Sequence, residues 1–545
     1  MRISTLIFLL SAPILLRGQT TSNAFQKVYD IMQAKCATCH SNATKSGGLD
    51  LEGSGTVKSD AVFLNLVNAD PTNAVAKSKG HKRVYPGRAD RSFLFHKING
   101  SFDTYYSTIG ANEGSLMPKQ GTVLTNIEKE IIRQWILFGA NKTYTVPEGR
   151  IRAYYDTVGR AMTAFETPPA APSASEGFQI KMGPFFLAPQ GQKESELEYY
   201  QKWELSLAND VEVNRIDHQI APFSHHLIIY NYNTTAAAST IAAGMRLDPY
   251  HQNISLVSAV QEKTDLRLPD KTAFKWTKDI ILDLNSHCIN YSANHVYKNE
   301  AFVNVYTQPN GMAKQQMYAI LIANNNIPIP NNNKTTTIES NFGLFGKIYV
   351  WGLMGHTHKY GTGYKVFKLL PNNVKGELLY DASCPNGLPG CQSPFYDYKH
   401  IPIRYFLPLK AVELNPGIVH QATWVNTGDA PVNWGPTSND EMMIAIAFYT
   451  RDTAGLASPT IDLKTLEGVR LFPNPAKGNL TLEVPPSVSG LKFTLFDLLG
   501  RVVRTETQLT GSSVTIQRGD IPSGMYIYKV EDARGLGHTG KVLLE

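Results

Sequence analysis

The sequence predicts a multidomain, mostly β chain, with a small all-α module in front and a small β-sandwich at the end. Three observations carry this. At 545 residues the chain is too long for a single hydrophobic core. Only 18% of it is charged, and Asn, Thr, Gly and Pro are plentiful, a composition of β-rich extracellular domains rather than helical cytosolic ones. Apolar residues recur at helical spacing near the N-terminus, whereas short β-patterned runs divided by turns fill the rest. The formal net charge of +6 is small for this length and Lys and Arg are scattered, which excludes a nucleic-acid partner.

Met1-Arg2 and the apolar run Leu6 to Leu16 read as a secretory signal peptide over residues 1–18, with cleavage between Gly18 and Ala24. The run is too short to span a bilayer, and no later segment is apolar enough for a transmembrane helix. The expected mature chain is exported and soluble.

Cys36-Ala37-Thr38-Cys39-His40 is a C-x-x-C-H motif. Two thiols at this spacing can bond to both haem vinyl groups, leaving the adjacent imidazole to meet the iron. Ala24 to Lys35 reads as a helix carrying the motif at its end. Leu124 to Phe138, with Ile127, Ile131, Ile132, Trp135 and Ile136 at helical spacing, reads as a closing helix. Met117, in Ser115-Leu116-Met117-Pro118, is the expected sixth ligand, with His81 and His96 in the same module. Residues 22–141 thus resemble a class I cytochrome c. The resemblance implies covalent haem c on Cys36 and Cys39, with His40 and Met117 axial. A methionine ligand raises the reduction potential relative to a second histidine and suits electron transfer.

Residues 142–176 read as a linker; Glu166 to Gly177 within this region is rich in Pro, Ala and Ser. Beyond it, Leu205 to Val211, His225 to Tyr232, Gly346 to Trp351 and Met443 to Thr450 read as strands of an all-β, sandwich-like body.

That body holds three histidine groups and a methionine: His225-His226, His287, His356-Thr357-His358, and Met442. Five imidazoles and one thioether suit copper and divide into a three-nitrogen set and a two-nitrogen, one-sulfur set; the thioether favours Cu(I). On a strand, His356 and His358 point to one face, but adjacent His225 and His226 point to opposite faces and can share one metal only at a bulge or bend, or through different ring nitrogens.

The local words are Phe223-Ser224-His225-His226-Leu227, Leu284-Asn285-Ser286-His287, Gly355-His356-Thr357-His358 and Thr437-Ser438-Asn439-Asp440-Glu441-Met442. In this order they resemble the type II copper, ascorbate-dependent monooxygenases, the family of peptidylglycine α-hydroxylating monooxygenase and dopamine β-monooxygenase. The resemblance covers about Gly177 to Arg451. It implies two tandem all-β, jelly-roll-like sandwich domains, 177–323 and 324–451. It also implies an electron-transferring copper on His225, His226 and His287, and an oxygen-binding, catalytic copper on His356, His358 and Met442. The implied reaction hydroxylates a C–H bond of a small organic substrate with dioxygen, using ascorbate or another one-electron donor. The fused haem is expected to replace or supplement that donor.

The chain departs from the family where a peptide carboxylate would bind. The family arginine two residues before the H-T-H word is Met354 here, and the Asn and Tyr after the copper methionine are Ile444 and Ile446. A carboxylate-terminated peptide loses its charge partner, so a less polar substrate is expected. A family disulfide is absent too, with Met443 and Thr423 at its positions.

Of five cysteines, two belong to the haem motif. Cys384 and Cys391 flank a turn-rich stretch that a disulfide can close in an oxidising compartment, their bonding being left open by the sequence, and Cys288 is expected to be a buried free thiol turned away from His287.

Residues 452–467 read as a second linker. Over 468–545, alternating strands between Gly turns predict a small β-sandwich. The words Leu471-Phe472-Pro473-Asn474-Pro475-Ala476, Phe496-Asp497-Leu498-Leu499-Gly500-Arg501 and Pro522-Ser523-Gly524-Met525-Tyr526-Ile527 resemble the type A sorting domain of the type IX secretion system of Bacteroidetes. This implies type IX machinery as a partner and a secreted or cell-surface destination reached through the periplasm. The alternative to an enzyme is a non-catalytic secreted haem/copper redox or copper-binding surface protein.

Overall fold

The computed structural model describes residues 24–107, 109–121, 123–156, 161–221, 223–344, 346–383, 396–435, 437–456, 466, 468–485, 490–497, 501–532 and 537–545. The expected signal peptide and both Cys384 and Cys391 lie outside them. The chain divides into two compact units, Met1–Leu456 and Ala457–Glu545.

The first unit opens with short helices from Ala24–Lys35 to Asn126–Leu137. Thr125 and Glu128 start the last of these with a reciprocal capping box. Its apolar face then buries Ile131, Ile132, Trp135 and Ile136. The first and last helices meet through Phe25 and Trp135, whose rings lie 5.1 Å apart.

Residues 142–176 are more than a linker. They contain the helix Glu148–Asp156 and the strand Ala161–Thr163, which pairs in parallel with Val296–Pro309. Ile151 is fully buried, and the Tyr155 hydroxyl donates to the buried Glu130 carboxylate (2.9 Å). Apolar and aromatic side chains in this stretch thus bind it to the body.

The body is built from two pairs of sheets. In the first pair, a seven-stranded sheet faces a five-stranded antiparallel sheet ordered Gly244–Arg246, Glu196–Glu204, Ile281–Ile289, Ser224–Tyr232, Ile254–Val260. Leu227, Ile229, Leu282 and Leu284 from one, and Val213, Ile216, Val303 and Val305 from the other, are buried in the core. The second pair has four strands in each sheet. One is ordered Tyr318–Ala323, Ile444–Thr450, Lys347–His356, Arg404–Glu413. The strand Tyr318–Ala323 pairs with Ile444–Thr450, so the halves divide before Tyr318 rather than near Asn324. Residues 205–210, expected in a strand, form the connection between Glu196–Glu204 and Val211–Gln219.

A glycine seam joins the helical segment to the body. A Cβ on Gly87 would lie 2.5 Å from the Gly244 Cα, and one on Gly244 would lie 2.2 Å from the Leu137 carbonyl oxygen. Arg88 stacks over Trp203 at 4.0 Å and donates to the Glu204 carbonyl at 2.7 Å. Phe138 meets Tyr199 with centroids 5.9 Å apart.

The second unit has a three-stranded sheet (Arg470–Phe472, Leu480–Glu483, Ser513–Ile516) and a four-stranded sheet (Val502–Leu509, Leu491–Phe496, Gly524–Glu531, Gly537–Leu544). Leu482, Phe493, Val530 and Val542 form its own core.

Candidate metal centre

The strand Ser224–Tyr232 pairs antiparallel with Ile281–Ile289. His287 faces His226, but Cys288 faces Ser224, so His225 is the extra residue of a β-bulge. The bulge lets adjacent histidines turn toward one point. Ring centroids are 5.0 Å apart for His225 and His287, and 5.2 Å for His226 and His287.

His356 ends the strand Lys347–His356, and His358 lies beyond it, not on the same strand face as the spacing predicts. Their rings still meet at 5.2 Å, nearly perpendicular. The buried Glu441 carboxylate organises this loop. It accepts N–H bonds from His358 (2.8 Å), Tyr360 (2.7 Å) and the Trp424 indole (2.9 Å), with Met442 N–H at 3.3 Å. Burial pushes its pKa up to about 7 against these bonds. Met442 and His356 line the same cavity.

The two expected ligand sets are not set apart. His225 lies 5.9 Å from His356 and 5.8 Å from His358 between ring centroids. Nitrogen atoms of His225, His226 and His356 come within 4.8 Å of one another. Hydrogen bonds also cross between the halves. Glu196 accepts from His287 Nε2 (2.8 Å) and from the Ser438 N–H and hydroxyl (2.9 and 2.6 Å). Gln261 Nε2 donates to His356 Nδ1 (3.1 Å) and to the Tyr398 carbonyl (3.1 Å).

The donor set fits a metal. His225 Nε2, His226 Nδ1, His287 Nδ1 and His358 Nε2 are buried and make no hydrogen bond to protein. Three of these rings have the other nitrogen held: His226 Nε2 by Asn285 Oδ1 (3.1 Å), His287 Nε2 by Glu196, and His358 Nδ1 by the Asp440 carbonyl (3.1 Å). One nitrogen oriented and the other left bare is the arrangement of a ligating imidazole. Burial, with the neighbouring imidazoles, holds His225 and His356 well below the usual histidine range, and burial lowers His358 to about 4. Neutral rings keep the lone pairs that a metal needs. Burial raises the Glu196 and Glu198 carboxyls, but hydrogen bonds, led by His287 and His226 respectively, outweigh it and hold both at about 2.

Glu196, Glu198, Gln261, Asn285 and Glu441 were not singled out from the sequence for these roles. Glu196 and Glu198 do carry a signal, two carboxylates on one strand face. Gln261 carries none.

Cys36, Cys39 and His40 follow the helix Ala24–Lys35 in a single turn, where the His40 N–H donates to the Cys36 carbonyl (3.0 Å). Both thiols are free, Cys36 partly buried and Cys39 exposed. Burial, helped by Glu128, pushes the Cys36 thiol up to about 11. His40 Nδ1 is buried and makes no hydrogen bond to protein. Two free thiols beside an available imidazole fit a covalent haem. Met117 is partly buried against the core, its N–H donating to the Lys97 carbonyl (2.7 Å). His96 commits both ring nitrogens to the Asp90 and Ser107 carbonyls, whereas the stacked His81 keeps a bare buried Nδ1. Cys288 is a buried free thiol beside Ser224, Ser286 and Asn299, and burial pushes it up to about 12.

Beside the cluster lies a cavity of about 190 Å³, lined by His226, His356 and Met442. Met354, Ile444 and Ile446 form part of its wall.

Residues 470–545 match the family of the secretion system C-terminal sorting domain. No curated protein matches the chain. A DUF3244 family protein with an immunoglobulin-like β-sandwich from Bacteroides vulgatus is 20% identical, covering 14% of this chain and 84% of its own (TM-score 0.13). The glycosylasparaginase PNGase F from Flavobacterium meningosepticum is 10% identical over 51% of this chain and 96% of its own (TM-score 0.22). The STIV major capsid protein is 10% identical over 52% of this chain and 100% of its own (TM-score 0.27). No described helix is long and apolar enough to cross a membrane. The chain thus carries a type IX secretion sorting domain, has the secretion machinery as a partner, and is an exported protein, secreted or held at the cell surface.

Proposed function

We propose that the chain is a secreted copper-dependent monooxygenase that hydroxylates a C–H bond of an organic substrate. The observation that carries this reading is the convergence of His225, His226, His287, His356 and His358 beside a cavity that Met442 also lines. His225, His226 and His287 would hold one copper and His356, His358 and Met442 the other, within tandem β-sandwich halves. Bound copper supplies one-electron redox chemistry and activation of dioxygen.

The protein's own groups have definable tasks. Glu196, Asn285 and the Asp440 carbonyl fix the tautomers of His287, His226 and His358, so that each of these three rings presents one bare nitrogen. Glu441 ties the H-T-H loop to Met442. The apolar part of the cavity wall, Met354, Ile444 and Ile446, would shield the reacting C–H bond from water. The helical module, read as a cytochrome c domain with haem on Cys36, Cys39 and His40 and with Met117 as sixth ligand, would deliver single electrons. A cavity next to the ligands favours catalysis over mere copper storage.

Copper and haem are to be measured per chain in the purified mature protein, with oxygen uptake followed under reductant against a panel of organic substrates. Two coppers, one haem and substrate-dependent uptake are expected. A reduced, copper-loaded protein that takes up no oxygen with any substrate would instead be a redox or copper-binding surface protein.

A further inference from the structure

The walls of the cavity beside the cluster come from both halves. Ile228 and Val260 belong to the first, and Leu321, Met354, Ile444 and Ile446 to the second. No lysine or arginine is among the described residues that line it. Its one carboxylate, Glu198, already accepts from Asn285 Nδ2 (3.0 Å) and faces His226 Nε2 (3.3 Å).

Charge decides what can enter. In the metal-free protein an anion would meet Glu198 with no lysine or arginine to offset it and would lose part of its hydration against isoleucine and methionine. A cation would find that carboxylate turned to His226 and Asn285, and would lose its hydration against the same wall. A neutral molecule gives up little water and gains the apolar contact. Size narrows the class further. An apolar cavity of about 150 Å³ in another protein accepts benzene. At about 190 Å³ this one has room for a ring and a short substituent.

We infer that the cavity takes a neutral, mainly apolar molecule about the size of one substituted ring, seated against His226, His356 and Met442. This rests on the monooxygenase reading for what happens to the ligand, but not for whether it binds.

Calorimetric titration of the metal-free, full-length mature protein with ethylbenzene, phenethylammonium and phenylacetate tests it. Ethylbenzene is expected to bind at least roughly tenfold tighter than either ion. Met354→Arg is expected to reverse the order of ethylbenzene and phenylacetate. Ala259→Leu, which fills the cavity without adding charge, is expected to weaken ethylbenzene by about tenfold and decides the matter if the arginine variant does not fold. Either ion binding as tightly as ethylbenzene, or ethylbenzene binding that Ala259→Leu leaves unchanged, overturns the inference. Failure here leaves copper content and oxygen uptake untouched, whereas failure of the monooxygenase reading appears in those two measurements alone.

Discussion

The helical module and the histidine cluster place their proposed haem- and copper-binding side chains in opposite ways. Cys36, Cys39 and His40 sit in one turn, placed by backbone bonds within a few residues. The five imidazoles come from three separate segments, placed by strand register, a bulge and bonds that cross between the halves. A local motif can hold its group without help from distant packing. A register-built cluster responds to any change that shifts one strand against another.

The sharpest break of this comparison is Cys36→Ser with Cys39→Ser. All covalent haem should be lost, while copper per chain stays unchanged, as read by pyridine haemochrome assay and metal analysis. His225→Ala comes next. Because its ring touches both ligand sets, it should weaken copper binding by more than about 100-fold and disturb the His356/His358 site as well. Copper bound normally at the second site would show that the sets act independently. Glu196→Gln should weaken copper by about 10- to 100-fold, and Ser438→Ala by less, because glutamate both orients His287 and bonds the partner half.

A smaller effect is expected from pH. Burial lowers His218 and His420, neither in the cluster, from 6.5 to about 4. The unfolded chain therefore binds more protons than the folded one between these values. Stability is fully present above pH 6.5 and declines as pH falls toward 4, with a slope of at most about 1.4 kcal/mol per pH unit for each histidine. Denaturant midpoints of the metal-free protein across this range would check it, and a flat profile would contradict it. Smallest is Thr125→Ala, which removes the cap of Asn126–Leu137 and should cost about 1 kcal/mol in thermal unfolding of the helical module without altering copper affinity.

Legibility in the sequence followed the same division. Ala24–Lys35 and Asn126–Leu137 were readable because their apolar faces repeat within the helix itself. That His225-His226 needs a bulge, a bend or different ring nitrogens to serve one metal was readable too, since adjacent residues of a flat strand point to opposite faces; the structure has the bulge, and the two rings leave different nitrogens bare. What escaped lies between distant segments. Gln261 reaches His356 across 95 residues and Ser438 reaches Glu196 across 242, distances over which no periodicity speaks. His358 departed from its strand because Glu441 draws its N–H away, a partner known only in three dimensions. The stretch 142–176 looked like a spacer because its prolines and serines outweigh the anchoring Ile151 and Tyr155 in composition, though not in packing.

The contact among Gly87, Leu137 and Gly244 has a kinetic consequence. Two globular pieces on a flexible leash exchange charge only when they collide, so solvent viscosity and ionic strength set the pace. Here the backbones already touch, so the proposed haem-carrying module is held in place against the body. If the proposed haem and copper are bound, a current between them should be a first-order tunnelling event with one fixed gap, indifferent to thickened or salted solvent.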